Sequence, residues 1–213
     1  MITTTHYPYT QRTMVLLPIA GFLFLLGILL RGASIDPAGN PDSYAAAILS
    51  RGAAAGWFLI FIGMVLEPLG LWALSLYLLE RGQGKLAYWG MVLSVLGVTL
   101  VIPLIGFTAL AAPVVGELYQ AGQTGAMGIA AAMSSTGLAL IVGMISGLAY
   151  SGGSLLTAIA LWRQGVMPKA LVIAFALQAP LLSIVALFSV VAELVGAVGL
   201  FVSVGWLVWH ARQ

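Results

Sequence analysis

The sequence predicts an all-α integral membrane protein, a polytopic bundle of six transmembrane helices with both the N and C termini cytoplasmic. Of its 213 residues, 62% are hydrophobic and only 7% are charged, and the mean hydropathy is +1.10. A soluble domain carries about 25% charged residues, so this chain cannot cover a globule with a polar surface. These observations exclude soluble enzymes, nucleic-acid-binding proteins and disordered proteins, and they make the lipid bilayer the first predicted partner.

Each predicted span is an apolar stretch, because a membrane-spanning helix needs about 20 mostly apolar residues. Backbone groups in lipid must be paired within their own segment, which makes helices the expected structure. Charged, glycine-containing turns such as Arg31-Gly32 end several stretches, and the third is expected to stop at Pro113. The chain forms one predicted domain, 1–213, with outer loops at 31–53 and 113–134. The predicted spans are 13–30, 54–79, 86–112, 135–162, 170–188 and 193–209.

The last two spans divide one long apolar stretch, from Ala170 to Trp209. As a single helix this stretch would be about 60 Å long, roughly twice the hydrocarbon thickness of a bilayer. It must therefore turn, and the sequence predicts the turn between Ser189 and Glu193.

The distribution of positive charge predicts which loops are cytoplasmic. If both termini are inside, the inner side holds six Lys and Arg residues, including Arg212, whereas the outer side holds only Arg31 and Arg51. This excess is the positive-inside signal of a membrane protein. Because Arg31 follows the first apolar stretch directly, that stretch is expected to stay as a helix rather than to be cleaved as a secretory signal.

The outer loops hold a second set of polar residues. Asn40-Pro41-Asp42 is typical of a helix start and predicts a short helix over 41–51. The second loop is expected to hold one or two helical turns around Glu117. Both loops either pack at the interface or form a lid over a cavity. Glu193 is expected to stabilise a helix start, and attraction of cations is its alternative role. The candidates for an outer vestibule are Asp36, Asp42, Glu117 and Glu193.

Glu67 is the main candidate for a functional residue. It lies near the middle of the second span and is followed by Pro68. An ionisable group at that depth costs a few kcal/mol to insert, so it indicates a function by default. Gly63, Gly70 and Glu67 share one helical face, which is expected to point into the bundle. The alternative is a protonated carboxyl group that only makes a hydrogen bond to a neighbouring helix.

Other polar residues are predicted at a similar depth. Pro68, Pro103 and Pro180 each leave one helical carbonyl group without its usual N–H partner. We expect a central cavity that opens outward, with Glu67 at its floor, and we expect Gln178 within about 12 Å of it, roughly two helix neighbours away. The candidates for ligand binding or proton carrying are Glu67, Thr99, Tyr150 and Gln178.

Enzymatic chemistry has little support in the sequence. There is no cysteine, and both histidines, His6 and His210, lie near the chain ends. The apolar stretches contain no HExxH motif, nucleophile elbow or phosphate-binding loop. We therefore predict a protein without enzymatic activity, cofactor or metal.

One segment carries a resemblance. Residues 155–169, Leu-Leu-Thr-Ala-Ile-Ala-Leu-Trp-Arg-Gln-Gly-Val-Met-Pro-Lys, are similar to a recurrent stretch of small, uncharacterised bacterial six-helix integral membrane proteins. The resemblance implies a multi-pass protein of the bacterial cytoplasmic (inner) membrane. It does not indicate which activity the protein has or which residues are functional.

Two classes of function follow from these observations. The first is an accessory membrane subunit, or a protein that binds a small apolar ligand or lipid at a polar site near Glu67, since polar residues are few. The second is a small carrier or channel, proton-linked through Glu67, since broken helices near the bilayer midplane are typical of transporters. The expected partners are accordingly a membrane protein or a small apolar ligand.

Overall fold

The computed structural model describes residues 8–32, 36–135 and 137–211, and these residues form helices without any strand. Of these described residues, 87% are helical. A π-helical segment, Phe107–Ala111, lies between the fifth and sixth helices, and a 3-10 turn, Val185–Leu187, lies between the last two. The helices are α1 (Pro8–Thr13), α2 (Leu16–Arg31), α3 (Pro41–Ile48), α4 (Arg51–Glu80), α5 (Gly84–Gly106), α6 (Ala112–Gln120), α7 (Ala126–Ser135), α8 (Gly137–Gln164), α9 (Lys169–Ser183) and α10 (Val190–His210).

Within the described part of the chain, five helical segments are long and apolar enough to cross a membrane, as expected for a membrane protein. They are Thr10–Arg31, Arg51–Glu80, Gly84–Gln120, Ala126–Gln164 and Val190–His210. Helix α9 is equally apolar in character but has only 15 residues.

Six helices form a closed ring in the order α2, α4, α5, α8, α9, α10, and α10 packs back against α2. Successive helices in the chain are therefore neighbours in space. Fully buried side chains such as Leu17, Leu74, Leu161 and Phe175 fill one part of the ring. Helices α3, α6 and α7 pack together at the other end, which we call the α3 end.

Glycines allow the helices of the ring to approach closely. A Cβ atom at Gly27 would lie 2.7 Å from the carbonyl oxygen of Gly56, where α2 meets α4. At Gly153 it would lie 2.6 Å from the carbonyl oxygen of Gly90, where α8 meets α5. Side chains as small as these are what lets helix backbones come into contact within lipid.

The third predicted span does not stop at Pro113. The helical backbone continues from α5 through the π-helical segment into α6 and ends only at Gln120. The expectation was wrong because Pro113 lies in the first turn of α6, where a missing N–H group costs little. The loop 113–134 consequently holds two helices, α6 and α7, instead of one or two isolated turns.

Other boundaries differ by a few residues from those predicted. Asn40 caps α3 as expected, and its side chain accepts a hydrogen bond from the Ser43 N–H group. The helix ends at Ile48 instead of residue 51, because Ser50 caps the start of α4. The last turn comes before Glu193, since Ser189 already caps α10. His6 and Arg212 lie outside the described residues.

Candidate functional site

A cavity of about 380 Å³ lies inside the ring, between Glu67 and the α3 end. Every helix of the ring contributes to its lining, and α3 and α7 cover it with Tyr44 and Met133. Most lining residues are apolar. A cavity of this size and character is typical of sites for small molecules.

Glu67 lies at the end of this cavity that is opposite the α3 end, which we call the inner end. Its side chain is 2% exposed, on the face of α4 that also carries the buried residues Gly63 and Gly70. Tyr150 of α8 and Gln178 of α9 are also buried. The hydroxyl group of Tyr150 contacts the Glu67 carboxyl group across the ring and lies 2.9 Å from Oε1 of Gln178.

The contacts continue from Gln178 to the backbone of α9. Nε2 of Gln178 donates a hydrogen bond to Oγ of Ser154 at 3.3 Å. The Ser154 hydroxyl in turn donates to the carbonyl oxygen of Phe175 at 2.9 Å. Glu67, Tyr150, Gln178, Ser154 and the Phe175 carbonyl therefore form one chain of hydrogen bonds through the interior, the buried hydrogen-bond chain.

The direction of the buried hydrogen-bond chain follows from its last member. A carbonyl oxygen only accepts, so the single proton of Ser154 is used on Phe175. Ser154 then accepts from the amide group of Gln178, which turns Oε1 of Gln178 toward Tyr150 and uses the phenolic proton of Tyr150. A hydrogen bond between Tyr150 and Glu67 then requires a proton on Glu67. Since Tyr150 has one phenolic proton and faces Oε1 of Gln178, both of its contacts are hydrogen bonds only when the Glu67 carboxyl group is protonated and donates to Tyr150.

An ion pair lies at the other end of the cavity. The Arg31 guanidinium, at the end of α2, contacts the Glu193 carboxylate at the start of α10, and their side chains are only 4% and 12% exposed. Arg31 also lies 4.5 Å above the Trp57 ring. Burial raises the pKa of the nearby Tyr44 phenol, so Tyr44 is neutral under physiological conditions.

The serine and threonine hydroxyl groups that line the cavity donate hydrogen bonds to backbone carbonyl groups. Ser146 donates to the carbonyl oxygen of Gly97 at 2.6 Å, Thr108 to that of Leu104 at 3.1 Å, and Ser183 to that of Ala179 at 2.6 Å. Polar character toward a ligand therefore comes from Glu67 and Tyr150 at one end and from Tyr44 and the ion pair at the other.

Three of the four predicted central residues come together, and Thr99 does not. Thr99 is exposed on the outside of the ring, whereas its neighbour Val98 is buried and lines the cavity. One residue turns a helix by about 100°, so residues at the same depth face different ways. The prediction from depth alone placed Thr99 wrongly.

The predicted outer residues separate in a similar way. Only Glu193 lines the cavity. Asp36 accepts hydrogen bonds from the N–H groups of Ala38 and Gly39 in its own turn. Asp42 accepts from the Tyr119 hydroxyl at 2.7 Å, and Glu117 is exposed.

Sequence reasoning missed two members of the site, Arg31 and Ser154. In the sequence, Arg31 stands out only as a residue that ends a span, although an acid and a base predicted on one side of the membrane are a signal for an ion pair. Ser154 lies in a run of small residues and gave no signal of its own.

No protein-family model matches the chain, and no curated protein or solved structure shows a match. Among the described residues, no three His, Asp or Glu side chains lie together as a metal site would require. The resemblance carried by residues 155–169 and the expected lack of enzymatic activity and cofactor stay predictions.

Proposed function

We propose that this chain is a non-enzymatic membrane protein that binds a small, mainly apolar molecule in the cavity between Glu67 and the Arg31–Glu193 pair. The observation that carries the proposal is the cavity of about 380 Å³, whose lining is mostly apolar and includes Glu67, Tyr150 and the Arg31–Glu193 pair. An apolar wall favours burial of a ligand, and a few polar groups fix its orientation.

The proposed topology is six spans with both termini cytoplasmic, in the inner membrane of a bacterium. The Arg31–Glu193 contact supports this count. The end of α2 and the start of α10 meet on one side, which requires an even number of crossings between them. Helices α4, α5, α8 and α9 provide four, so α9 is counted as a span although its 15 residues extend only about 22 Å.

The topology can be tested with single cysteines, because the chain contains none. The variants are Ala38→Cys, Gln83→Cys and Ala211→Cys, labelled in intact cells by a maleimide that does not cross membranes. Six spans predict labelling of Ala38→Cys in intact cells and of the other two only after permeabilisation. Labelling of Ala211→Cys together with Ala38→Cys would instead mean five spans.

The binding proposal can be tested by native mass spectrometry of the protein purified in mild detergent. We expect a small molecule to stay bound to the wild-type chain and to be lost from Gly143→Phe. Gly143 lines the cavity, and a Cβ atom there meets nothing within 4 Å, so the new ring fills the cavity without a backbone clash. Gly152→Phe is the matched control, because Gly152 does not line the cavity and a Cβ atom there would lie 3.9 Å from Leu93.

Two results would contradict the binding proposal. Equal loss of the molecule from Gly143→Phe and Gly152→Phe would show that it does not occupy the cavity. Stable co-purification of another polypeptide, without any small molecule, would favour the accessory-subunit alternative.

A second function, a proton-linked carrier, is favoured by the buried hydrogen-bond chain. A carboxyl group inside the membrane that holds a proton and faces a cavity is typical of proton-coupled transport. A carrier predicts that Glu67→Gln abolishes uptake of the bound molecule into proteoliposomes under a proton gradient. A binding protein predicts no uptake by either chain.

A further inference from the structure

Among the described side chains that line the cavity, one can change the net charge of the cavity by losing a proton. The described lining residues that are charged or titratable are Arg31 from α2, Tyr44 from α3, Glu67 from α4, Tyr150 from α8 and Glu193 from α10. The described residues of α5 and α9 that line the cavity include no charged or titratable side chain. Arg31 and Glu193 neutralise each other, and both tyrosines are neutral phenols. Loss of the Glu67 proton would therefore give the cavity a net negative charge.

This arrangement disfavours an anionic ligand. The cation of the cavity, Arg31, already pairs with Glu193, so an anion would have to displace a buried carboxylate. The lining serine and threonine hydroxyls donate to backbone carbonyl groups. An anion bound at the inner end would also lie beside Glu67.

The walls of the cavity fit a cation with an apolar surface. Aromatic rings attract cations through their π faces, and the Arg31 guanidinium already lies over Trp57 at the α3 end. Methionine side chains are flexible and polarisable and adapt to ligands of different shape. The aromatic and methionine residues of the lining are Phe24, Tyr44, Trp57, Phe107, Tyr150, Met64, Met133 and Met144.

We propose that the cavity binds a lipophilic organic ammonium ion and that Glu67 exchanges its proton for this cation. The inference rests on the proposed binding function and names its ligand class. The exchange is balanced, because one cation enters and the Glu67 proton leaves to water. A neutral amine gives the same ion pair by taking the proton from Glu67 directly.

The buried hydrogen-bond chain gives the exchange a second consequence. Once Glu67 is a carboxylate, it can only accept, so the Tyr150 proton turns from Gln178 to Glu67. Oε1 of Gln178 then loses its donor, and the link between α4 and α9 is broken at Tyr150. Cation binding thus changes which helices Tyr150 connects.

The experiment uses the full chain in lipid nanodiscs and two radiolabelled probes of the same shape. The first probe is benzyltrimethylammonium, and the second is its neutral carbon isostere, neopentylbenzene. Binding is measured by scintillation proximity against empty nanodiscs, and proton release by a pH indicator in weak buffer. We expect the cation to bind and to release about one proton per cation bound, because it replaces the proton on a single carboxyl group.

The decisive variant is Glu67→Gln, whose amide N–H group can still donate to Tyr150 and so preserves the fold. It should weaken binding of the cation more than about tenfold, since a buried charge loses its partner, and it should abolish proton release. Binding of the neutral isostere should change little. Gly143→Phe should abolish binding of both probes, and Gly152→Phe neither.

The outcomes separate this inference from the proposed function. Binding of the neutral isostere alone, lost in Gly143→Phe, would overturn the cation inference and leave the binding function standing. Cation binding without proton release, or equal cation binding by Glu67→Gln, would also overturn it. Failure of both probes to bind the wild-type chain would overturn the inference and count against the binding function.

Discussion

The hydroxyl group of Tyr150 is the contact through which three helices of the ring meet in the interior. It lies between the carboxyl group of Glu67 on α4 and the amide oxygen of Gln178 on α9. A buried polar group that loses its partner keeps its full desolvation cost. The stability of the inner end of the cavity should therefore depend on this single oxygen atom.

Tyr150→Phe should lower the free energy of unfolding by about 1–2 kcal/mol, because it leaves Glu67 and Gln178 without their shared partner. The measurement is unfolding by SDS in mixed micelles. Tyr119→Phe is the matched control, since its hydroxyl bonds to the exposed Asp42 and its loss should cost less than about 0.5 kcal/mol. Equal effects of the two variants would contradict the role given to Tyr150.

Single residues of the site could be predicted from the sequence where a polar side chain stands within an apolar span, because burying such a group in the membrane is costly. Glu67 stands out in any apolar span, and Gln178 and Tyr150 lie at a similar depth. Thr99 was misplaced because depth says nothing about which way a helix face turns. Only the packing of α5 against α4 and α8 determines that Val98 faces inward and Thr99 outward.

At the scale of elements, backbone contact between helices builds the walls of the cavity. Where α8 meets α5, a Cβ atom at Gly153 would clash with the backbone nitrogen of Ser94 and would lie 2.6 Å from the carbonyl oxygen of Gly90. One turn before Gly153, the same helix presents Tyr150 to the interior. The position of the Tyr150 ring therefore depends on an interface that admits no Cβ atom.

Gly153→Ala should destabilise the protein by about 1–3 kcal/mol, the usual cost of forcing extra atoms into a packed interface. Its neighbour Gly152 provides the control, because a Cβ atom there meets only Leu93 at 3.9 Å. Gly152→Ala should leave stability unchanged or raise it by up to about 1 kcal/mol through helix propensity. SDS unfolding measures both, and an equal loss in the two variants would refute this account of the interface.

The helical elements could be predicted from hydropathy, including the spans that run through Pro68, Pro103 and Pro180, but the place of Pro113 could not. A proline normally ends a helix, yet Pro68, Pro103 and Pro180 lie inside helices, and Pro113 lies in the first turn of α6. Neighbouring helices supply the packing that tolerates these positions. For Pro113, the sequence alone did not show that a further helix begins there and continues the helical backbone.

At the scale of the whole molecule, the Arg31–Glu193 pair joins the first helix of the ring to the last. The pair closes the ring beside the cavity, at its α3 end. A buried charge without a partner is strongly destabilising, so the two side chains stay paired. The sequence predicted both charges on one side of the membrane but not their contact, which depends on how α10 returns to α2.

Arg31→Met should cost about 3 kcal/mol of stability, because Glu193 then stays buried beside an apolar side chain. Glu193→Leu should cost a similar amount for the same reason. The double variant should cost less than the sum of the two, with a coupling energy of about 1–3 kcal/mol. Additive losses in SDS unfolding would mean that the two residues act independently.

The central claim is that Glu67 holds a proton inside the membrane and faces a ligand cavity, and infrared spectroscopy of the protein in nanodiscs tests it most directly. At neutral pH, the spectrum of the wild-type chain minus that of Glu67→Gln should contain the C=O stretching band of a protonated carboxylic acid. In Tyr150→Phe this band should shift, because the carboxyl group has lost its hydrogen-bond acceptor. A difference spectrum that contains only carboxylate bands would contradict the claim.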